Sequence, residues 1–515
     1  MKPTITSLFV ASFPKSIGDC VSFTHSGSTM ADVPTKTARA EWGTRFGFLM
    51  AMIGAMVGAG NIWRFPYVMG NNGGGAFVLA FLSLLFVLAV PGLMAEVALG
   101  RYTNKGIIGA FRDVVGRGGM VGFGVVVLLV NIALMSYYSP VIAWTLYYAV
   151  HSLLFTFTAP GFEAEAFMNA LFDNAALMIG LHTVVMGSIA AVLALGIRRG
   201  VERIVVYAVP ALVVSLVVMM IRGLTLPGAS EGIAFAFGIQ WEYLTYSDTW
   251  ITALGQALFS TGLGWGIALT IGSYLREYDD VPLGGGVFTA IGESSIGILA
   301  ALAIFPIVFA VGVDPDVGAG LAFISLVQVF PEIPLGGLVA ILFFVGFFLA
   351  TFTSGLLITE VSVTTLSEET RLSRTQTVFG VCGGIWLLGL PSAYSVEILD
   401  YLDFVFGNWG LPLATIAIIG TIGWVLGPER LRLLAVNRNA GVYVGRWWDP
   451  VIKYVIPGVM LFIMAYFAYD NFRSPEMIGG MVVLVLFPTV GYVVMSIVEG
   501  RGGPPERADV PGGDD

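Results

Sequence analysis

About twelve apolar blocks, each long enough to cross a bilayer as a helix, recur along this chain of 515 residues. A helix needs roughly 20 apolar residues to span the hydrocarbon core. Bounded by charges and by Gly/Pro breaks, the blocks run over 43–69, 75–101, 120–155, 173–197, 201–223, 250–276, 283–312, 335–367, 375–391, 397–426, 451–470 and 478–498. Amphipathic pieces are expected around 230–245 and 317–330. In lipid every backbone N–H and C=O must be satisfied by protein, which leaves helices or closed barrels. A barrel needs short alternating segments, and these runs are continuous. The expected fold is an all-α integral membrane protein of about twelve transmembrane helices. The chain is 57% hydrophobic and 11% charged, a balance that soluble domains do not carry.

The same composition excludes several functions. A net charge of -9 offers no basic surface for nucleic acid. Two cysteines, Cys20 and Cys382, build neither a disulfide framework nor a cysteine metal site. His25, His151 and His182 lack ligand spacing. No HExxH, GxSxG or Walker pattern occurs, so neither an enzyme nor a nucleotide-driven pump is expected, and no cofactor is implied.

Charge sorts the loops into two sets. One carries Arg39, Arg45, Lys105, Arg112, Arg117, Arg198, Arg199, Arg203, Arg276, Arg371, Arg374, Arg430, Arg432, Arg438 and Arg446. The other carries Glu163, Glu165, Asp173, Glu231, Glu242, Asp248, Asp314, Asp316, Glu332 and Glu476. The positive-inside rule then places both termini in the cytoplasm of a multi-pass cell-membrane protein. Residues 1–40 read as a disordered cytoplasmic segment: Leu8–Ala11 is too short for a signal-peptide core, and Met30 resembles an ordinary cytoplasmic start. The expected organisation continues with a ten-helix core over 41–427, two peripheral helices over 428–500, and a cytoplasmic tail over 501–515.

Two spans carry breakers at mid-depth. The first reads MAMIGAMVGAGNIWRFP, with Gly54, Gly58 and Gly60 before Asn61 and Arg64. The sixth reads ALGQALFSTGLGWGIAL, with Ser260 and Thr261 before Gly262, Gly264 and Gly266. Close helix packing through Gly54-xxx-Gly58 is the simpler account of either span alone. Two such spans, one opening each half of the core, point instead to a five-plus-five inverted repeat with two discontinuous helices. Freed backbone groups there can meet an anion and a cation at the bilayer centre.

The stretches GNIWRFPYVMGNNGGGAF (Gly60–Phe77), AEVALGRY (Ala95–Tyr102), the Tyr137–Tyr138 pair, GQALFSTGLGWG and LDFVFGNWGLP (Leu402–Pro412) are specific. Through them the chain resembles the neurotransmitter:sodium symporter family over residues 39–500, and is most similar to its prokaryotic amino-acid members. The resemblance implies a sodium-coupled symporter of amino acids working by alternating access. A substrate-gated channel or receptor on the same fold is the alternative.

What the resemblance implies for the sites is as follows. One sodium would meet the Met56 carbonyl, Asn61, Ser260, Glu293 and the substrate carboxylate. Glu293 stands where relatives carry Asn or Asp; the bland reading makes it a solvated residue near the span's cytoplasmic end. Gly297, four residues on, stands where chloride-dependent relatives place a serine, so chloride-independent transport is expected. A second sodium would meet carbonyls of Gly54, Val57 and Ala350 and hydroxyls of Thr353 and Ser354, although a Thr-Ser pair in a span commonly back-bonds to its own helix. The substrate pocket would comprise Ala55, Ala59, Gly60, Leu134, Tyr138, Phe259, Gly262, Trp265, Ser354 and Ile358. Ala59 stands where aromatic-amine transporters carry Asp, which favours an amino acid. Arg64 with Asp403 would gate the outer side, and Arg39 with Glu368 the inner side. Glu96 is expected to hold the broken sixth helix. Partners are the amino acid, sodium and the bilayer; oligomeric state is not legible.

Overall fold

The computed structural model describes residues 41–116, 118–276, 279–310, 312, 320–470 and 475–500. Residues 1–40 with Arg39, Arg117, Asp314 and Asp316, and the tail from 501 lie outside the described residues. Among the described residues the chain is helical, with a single isolated bridge between Gly74 and Ile239.

Ten helices are long and apolar enough to cross a membrane. They are Gly75–Thr103, Gly119–Leu153, Ala175–Ala194, Ile197–Leu224, Val281–Phe309, Gly336–Glu369, Arg374–Tyr394, Val396–Leu426, Trp448–Tyr469 and Met477–Val498. Each coincides with one expected block. The two remaining blocks are the two with breakers, and both are interrupted. Arg45–Met56 and Gly60–Asn71 are bent by 59°. Ser247–Thr261 and Ile267–Gly272 are separated by a segment in which Gly262, Gly264 and Gly266 all take positive φ (60°, 89° and 72°). Such backbone is strained for residues with a Cβ, so the sequence can hold this shape only with glycine there.

Burial orders the bundle from centre to rim. The most apolar stretches of Gly336–Glu369 and Val396–Leu426 are 72% buried inside the protein, against 33% for Trp448–Tyr469 and 17% for Met477–Val498. The last helix nevertheless meets the third span closely, where the backbones of Gly122 and Gly491 touch. Small residues permit this approach where lipid supplies little force between helices. Short helices lie at the bundle ends: Ala229–Phe237 and Leu321–Glu332, both anticipated, and Ile107–Val115 and Ala164–Phe172, which were not. The latter pair are amphipathic stretches of nine residues, too short for a signal of span length.

Candidate functional site

The first break begins where Arg45–Met56 stops at Val57, whose backbone is extended (φ -88°, ψ 112°). Its neighbours are stabilised by groups from other spans. The Ala59 N–H donates to the Tyr138 hydroxyl at 3.4 Å, and Ser354 Oγ donates to the Ala55 carbonyl at 3.1 Å. Gln256 Nε2 donates to the Gly60 carbonyl at 2.9 Å, while its Oε1 accepts from Arg64 at 2.5 Å. A Cβ on Gly58 would stand 2.5 Å from the Tyr138 hydroxyl and one on Gly60 3.0 Å from the Phe259 ring, so both glycines permit close approach.

Below this break three of the expected residues converge. Asn61 Nδ2 donates to Glu293 Oε2 at 2.7 Å and to the Glu293 carbonyl at 3.2 Å. Ser260 Oγ donates to Glu293 Oε1 at 3.3 Å. Asn61 Oδ1 accepts from the Gly58 N–H at 3.4 Å. Glu293 is fully buried, Asn61 is 1% exposed and Ser260 2%. A buried carboxylate is costly unless paired or bound to a cation, so Glu293 is no solvated span end. The cluster contains only oxygen acceptors and an amide, the donor chemistry that hard cations select. At Gly297, one turn on, a Cβ would lie 3.2 Å from the Phe65 ring.

The second expected cation group is also adjacent in space. Thr353 Oγ1 donates to the Ala350 carbonyl at 3.0 Å, which is the back-bonded arrangement. Ser354 instead reaches across to Ala55. A Cβ on Gly54 would lie 3.7 Å from the Thr353 Cβ, so the first and eighth spans meet here. Val57 and Ala350 are buried beside them.

The sixth-span break is held from its other side. Glu96 Oε1 accepts from the Gly264 N–H at 2.7 Å, Asn131 Nδ2 donates to the Trp265 carbonyl at 3.0 Å, and Thr415 Oγ1 donates to the Leu263 carbonyl at 3.2 Å. Three spans thus satisfy backbone groups that the broken helix leaves open.

Between the breaks lies a cavity of about 20 Å³ lined by Ala55, Met56, Gly58, Ala59, Gly60, Tyr138, Phe259, Ser260, Gly262, Trp265, Ile267 and Ser354. Eight of the ten expected pocket residues line it. Leu134 lines a neighbouring cavity of about 320 Å³, which shares Ala59, Gly60, Tyr138, Phe259 and Trp265 and extends to Arg64 and Asp403. Ile358 is buried and lines neither. A third cavity of about 550 Å³ also reaches Arg64, Phe259 and Asp403, and runs between the sixth, tenth and eleventh spans. Arg64 and Asp403 therefore face common space, with Arg64 held by Gln256 and lying 5.9 Å from the Phe259 ring centre.

The opposite end, around Trp42, is filled. Trp42 is fully buried, its Nε1 donates to the Ile271 carbonyl at 3.2 Å, and its ring meets Tyr274 edge-on at 6.1 Å. Glu202 accepts from the N–H groups of Gly43 (2.8 Å) and Thr44 (3.1 Å). The Tyr274 hydroxyl donates to Glu360, which pairs with Arg374 at 2.8 Å. Glu368 accepts from the Gly106 N–H at 2.7 Å, and its expected partner Arg39 is outside the described residues.

Sequence reasoning missed Gln256, Asn131, Glu202 and the side chain of Met56. Gln256 and Asn131 had a signal: a lone amide inside an apolar span must find a partner. Met56 had none, because only its carbonyl was considered.

The sodium:neurotransmitter symporter family model matches residues 39–170 and 165–498. An uncharacterized sodium-dependent transporter of Haemophilus influenzae is 32% identical over 448 residues, covering 82% of this chain and 97% of its own. The sodium- and chloride-dependent glycine transporter 2 of Xenopus laevis is 25% identical, covering 84% of this chain and 65% of its own. The solved structure of MhsT in complex with L-phenylalanine is similar at 30% identity and a TM-score of 0.75, covering 83% of this chain and 99% of that one. This chain belongs to the sodium:neurotransmitter symporter family.

Proposed function

We propose that the protein carries amino acids across the cell membrane by symport with sodium, independently of chloride and with both termini cytoplasmic. The observation that carries this reading is the convergence of Asn61, Ser260 and Glu293 from three different spans beneath a broken helix. One sodium is assigned to these side chains with the Met56 carbonyl and the substrate carboxylate. An ion that shares a ligand with the substrate couples the two binding equilibria, and the coupling is reciprocal. The second is assigned to Gly54, Val57, Ala350, Thr353 and Ser354. There the Thr353 hydroxyl would turn a lone pair toward the ion while keeping its bond to Ala350.

The substrate would take the room between the breaks, its carboxylate near the Gly60 end of the first span and the Tyr138 hydroxyl. Of two proteins similar to this chain, MhsT was solved in complex with L-phenylalanine and the other is named a glycine transporter. They support the class and do not rank size. Chloride independence is supported by Glu293, whose carboxylate would supply the negative charge beside a bound sodium, and by Gly297, which offers no hydroxyl and faces Phe65. Alternating access is supported by the contrast between the cavities at Arg64 and the filled end at Trp42. Uphill uptake of amino acids by proteoliposomes under an imposed inward sodium gradient tests the proposal. Flux that only runs downhill, whatever the sodium gradient, would establish a channel instead.

A further inference from the structure

We infer that the side chain of Met56, with Trp265, caps the size of the substrate, so that the protein takes amino acids of the glycine and alanine class and excludes those as large as phenylalanine. The inference rests on the proposed amino-acid symport and adds its substrate class.

Gly262 leaves open room at the sixth-span break, and the Met56 side chain takes it. A Cβ built on Gly262 would lie 3.3 Å from Met56 Sδ and 3.8 Å from Trp265 Cγ. Met56 is 4% exposed and Trp265 5%, and Trp265 stands edge-on to Phe259 with ring centres 5.5 Å apart. Met56 and Trp265 both border the Gly262 position and both line the space that is left. What remains is the cavity of about 20 Å³, close to the room of one or two waters. Trp265 also leaves its buried Nε1–H without an acceptor among the described residues. The carboxylate of a bound amino acid can answer that donor.

The larger cavity does not relieve the limit. It shares Tyr138, Phe259 and Trp265 with the small one, so movement of the Tyr138–Phe259 layer joins them and gives the zwitterionic head its room. It adds nothing at the level of Met56 and Gly262, which do not line it. Interiors hold few voids into which a displaced Met56 side chain could swing.

The test is sodium-driven uptake of glycine, alanine, leucine and phenylalanine by proteoliposomes holding the full chain, each also run as a competitor. The wild type is expected to prefer alanine or glycine over phenylalanine by roughly tenfold or more, the scale on which pockets discriminate size. Met56→Ala, which removes Cγ, Sδ and Cε, should move that ratio toward leucine and phenylalanine by a similar factor. Met56→Leu should preserve it. If Met56→Ala is not recovered folded, Trp265→Leu supplies the same enlargement from the other wall. Wild-type uptake of phenylalanine as good as that of alanine overturns the size limit and leaves symport standing. So does an unchanged ratio in both enlarged variants. Sodium-driven uptake of none of these four, nor of any other of the twenty amino acids run in the same assay, overturns the symport reading, and this inference with it.

Discussion

Replacing Glu293 with glutamine isolates the charge of the candidate cation cluster from its shape. The amide oxygen can still accept from Asn61 Nδ2, the 2.7 Å bond, and the amide nitrogen can donate to Ser260 Oγ, 3.3 Å from Oε1 in the wild type. The fold should therefore lose no more than about 1 kcal/mol. The ion loses more. Contacts to a charged group are worth roughly twice those to a neutral one, a deficit of about 1.5–2 kcal/mol, or roughly 10- to 30-fold in sodium affinity. Thermal unfolding of the purified protein across a sodium titration reads both quantities. At a sodium concentration 100 times the wild-type Kd, binding stabilises the wild type by about 2.7 kcal/mol. A variant with 30-fold weaker affinity would gain about 0.9 kcal/mol at the same concentration. The expected result is equal melting without sodium, with a sodium midpoint displaced upward in Glu293→Gln. An unmoved midpoint would refute the assignment. Collapse of the variant in the absence of sodium would show that the carboxylate holds the fold and not the ion.

Four further outcomes are expected. Replacing chloride by gluconate should leave wild-type uptake unchanged; uptake that falls to background and returns with chloride contradicts the role given to Glu293 and Gly297. Acidification should raise the sodium concentration needed for half-maximal uptake, because a proton competes with the ion for the Glu293 carboxylate, and this dependence should be missing in Glu293→Gln. Gly264→Ala should destabilise the protein by about 3 kcal/mol or more in melting experiments, since φ is 89° there and the new Cβ would lie 2.9 Å from the Leu411 carbonyl oxygen; wild-type melting would show that the glycine is dispensable. Trp42→Ala should raise the labelling rate of a cysteine placed at Ile271, whose carbonyl the indole covers; equal labelling in both backgrounds would show that Trp42 does not seal this end.

The spans were legible because lipid leaves few ways to satisfy a backbone, so about twenty apolar residues between charges carry one meaning. Both breaks were legible for the same reason: glycines clustered at mid-depth are costly unless the helix is interrupted there. The Glu293–Asn61–Ser260 grouping came from resemblance, not from spacing, since the three residues lie on three spans and no local pattern joins them. What stayed hidden was mostly side-chain reach. Gln256 joins Arg64 to the Gly60 carbonyl, a link that depends on how the sixth span is rotated against the first. Glu202 was invisible as a partner because its acceptor role is filled by backbone N–H groups of Gly43 and Thr44, which any residue offers. The Thr353 bond to Ala350 was weighed from sequence and is present. The short helices Ile107–Val115 and Ala164–Phe172 escaped because an amphipathic segment of nine residues looks like loop to a rule tuned to lipid.

The bonds that Glu96, Asn131 and Thr415 make to the sixth-span break give that opening a direction. The Gly264 N–H and the Leu263 and Trp265 carbonyls are already spoken for by the second, third and tenth spans, even though a cavity reaches Leu263 and Thr415. These bonds also tether the kinked segment to its neighbours, so a tilt of the sixth helix would drag on three others, and the broken region would travel as a block instead of hinging residue by residue.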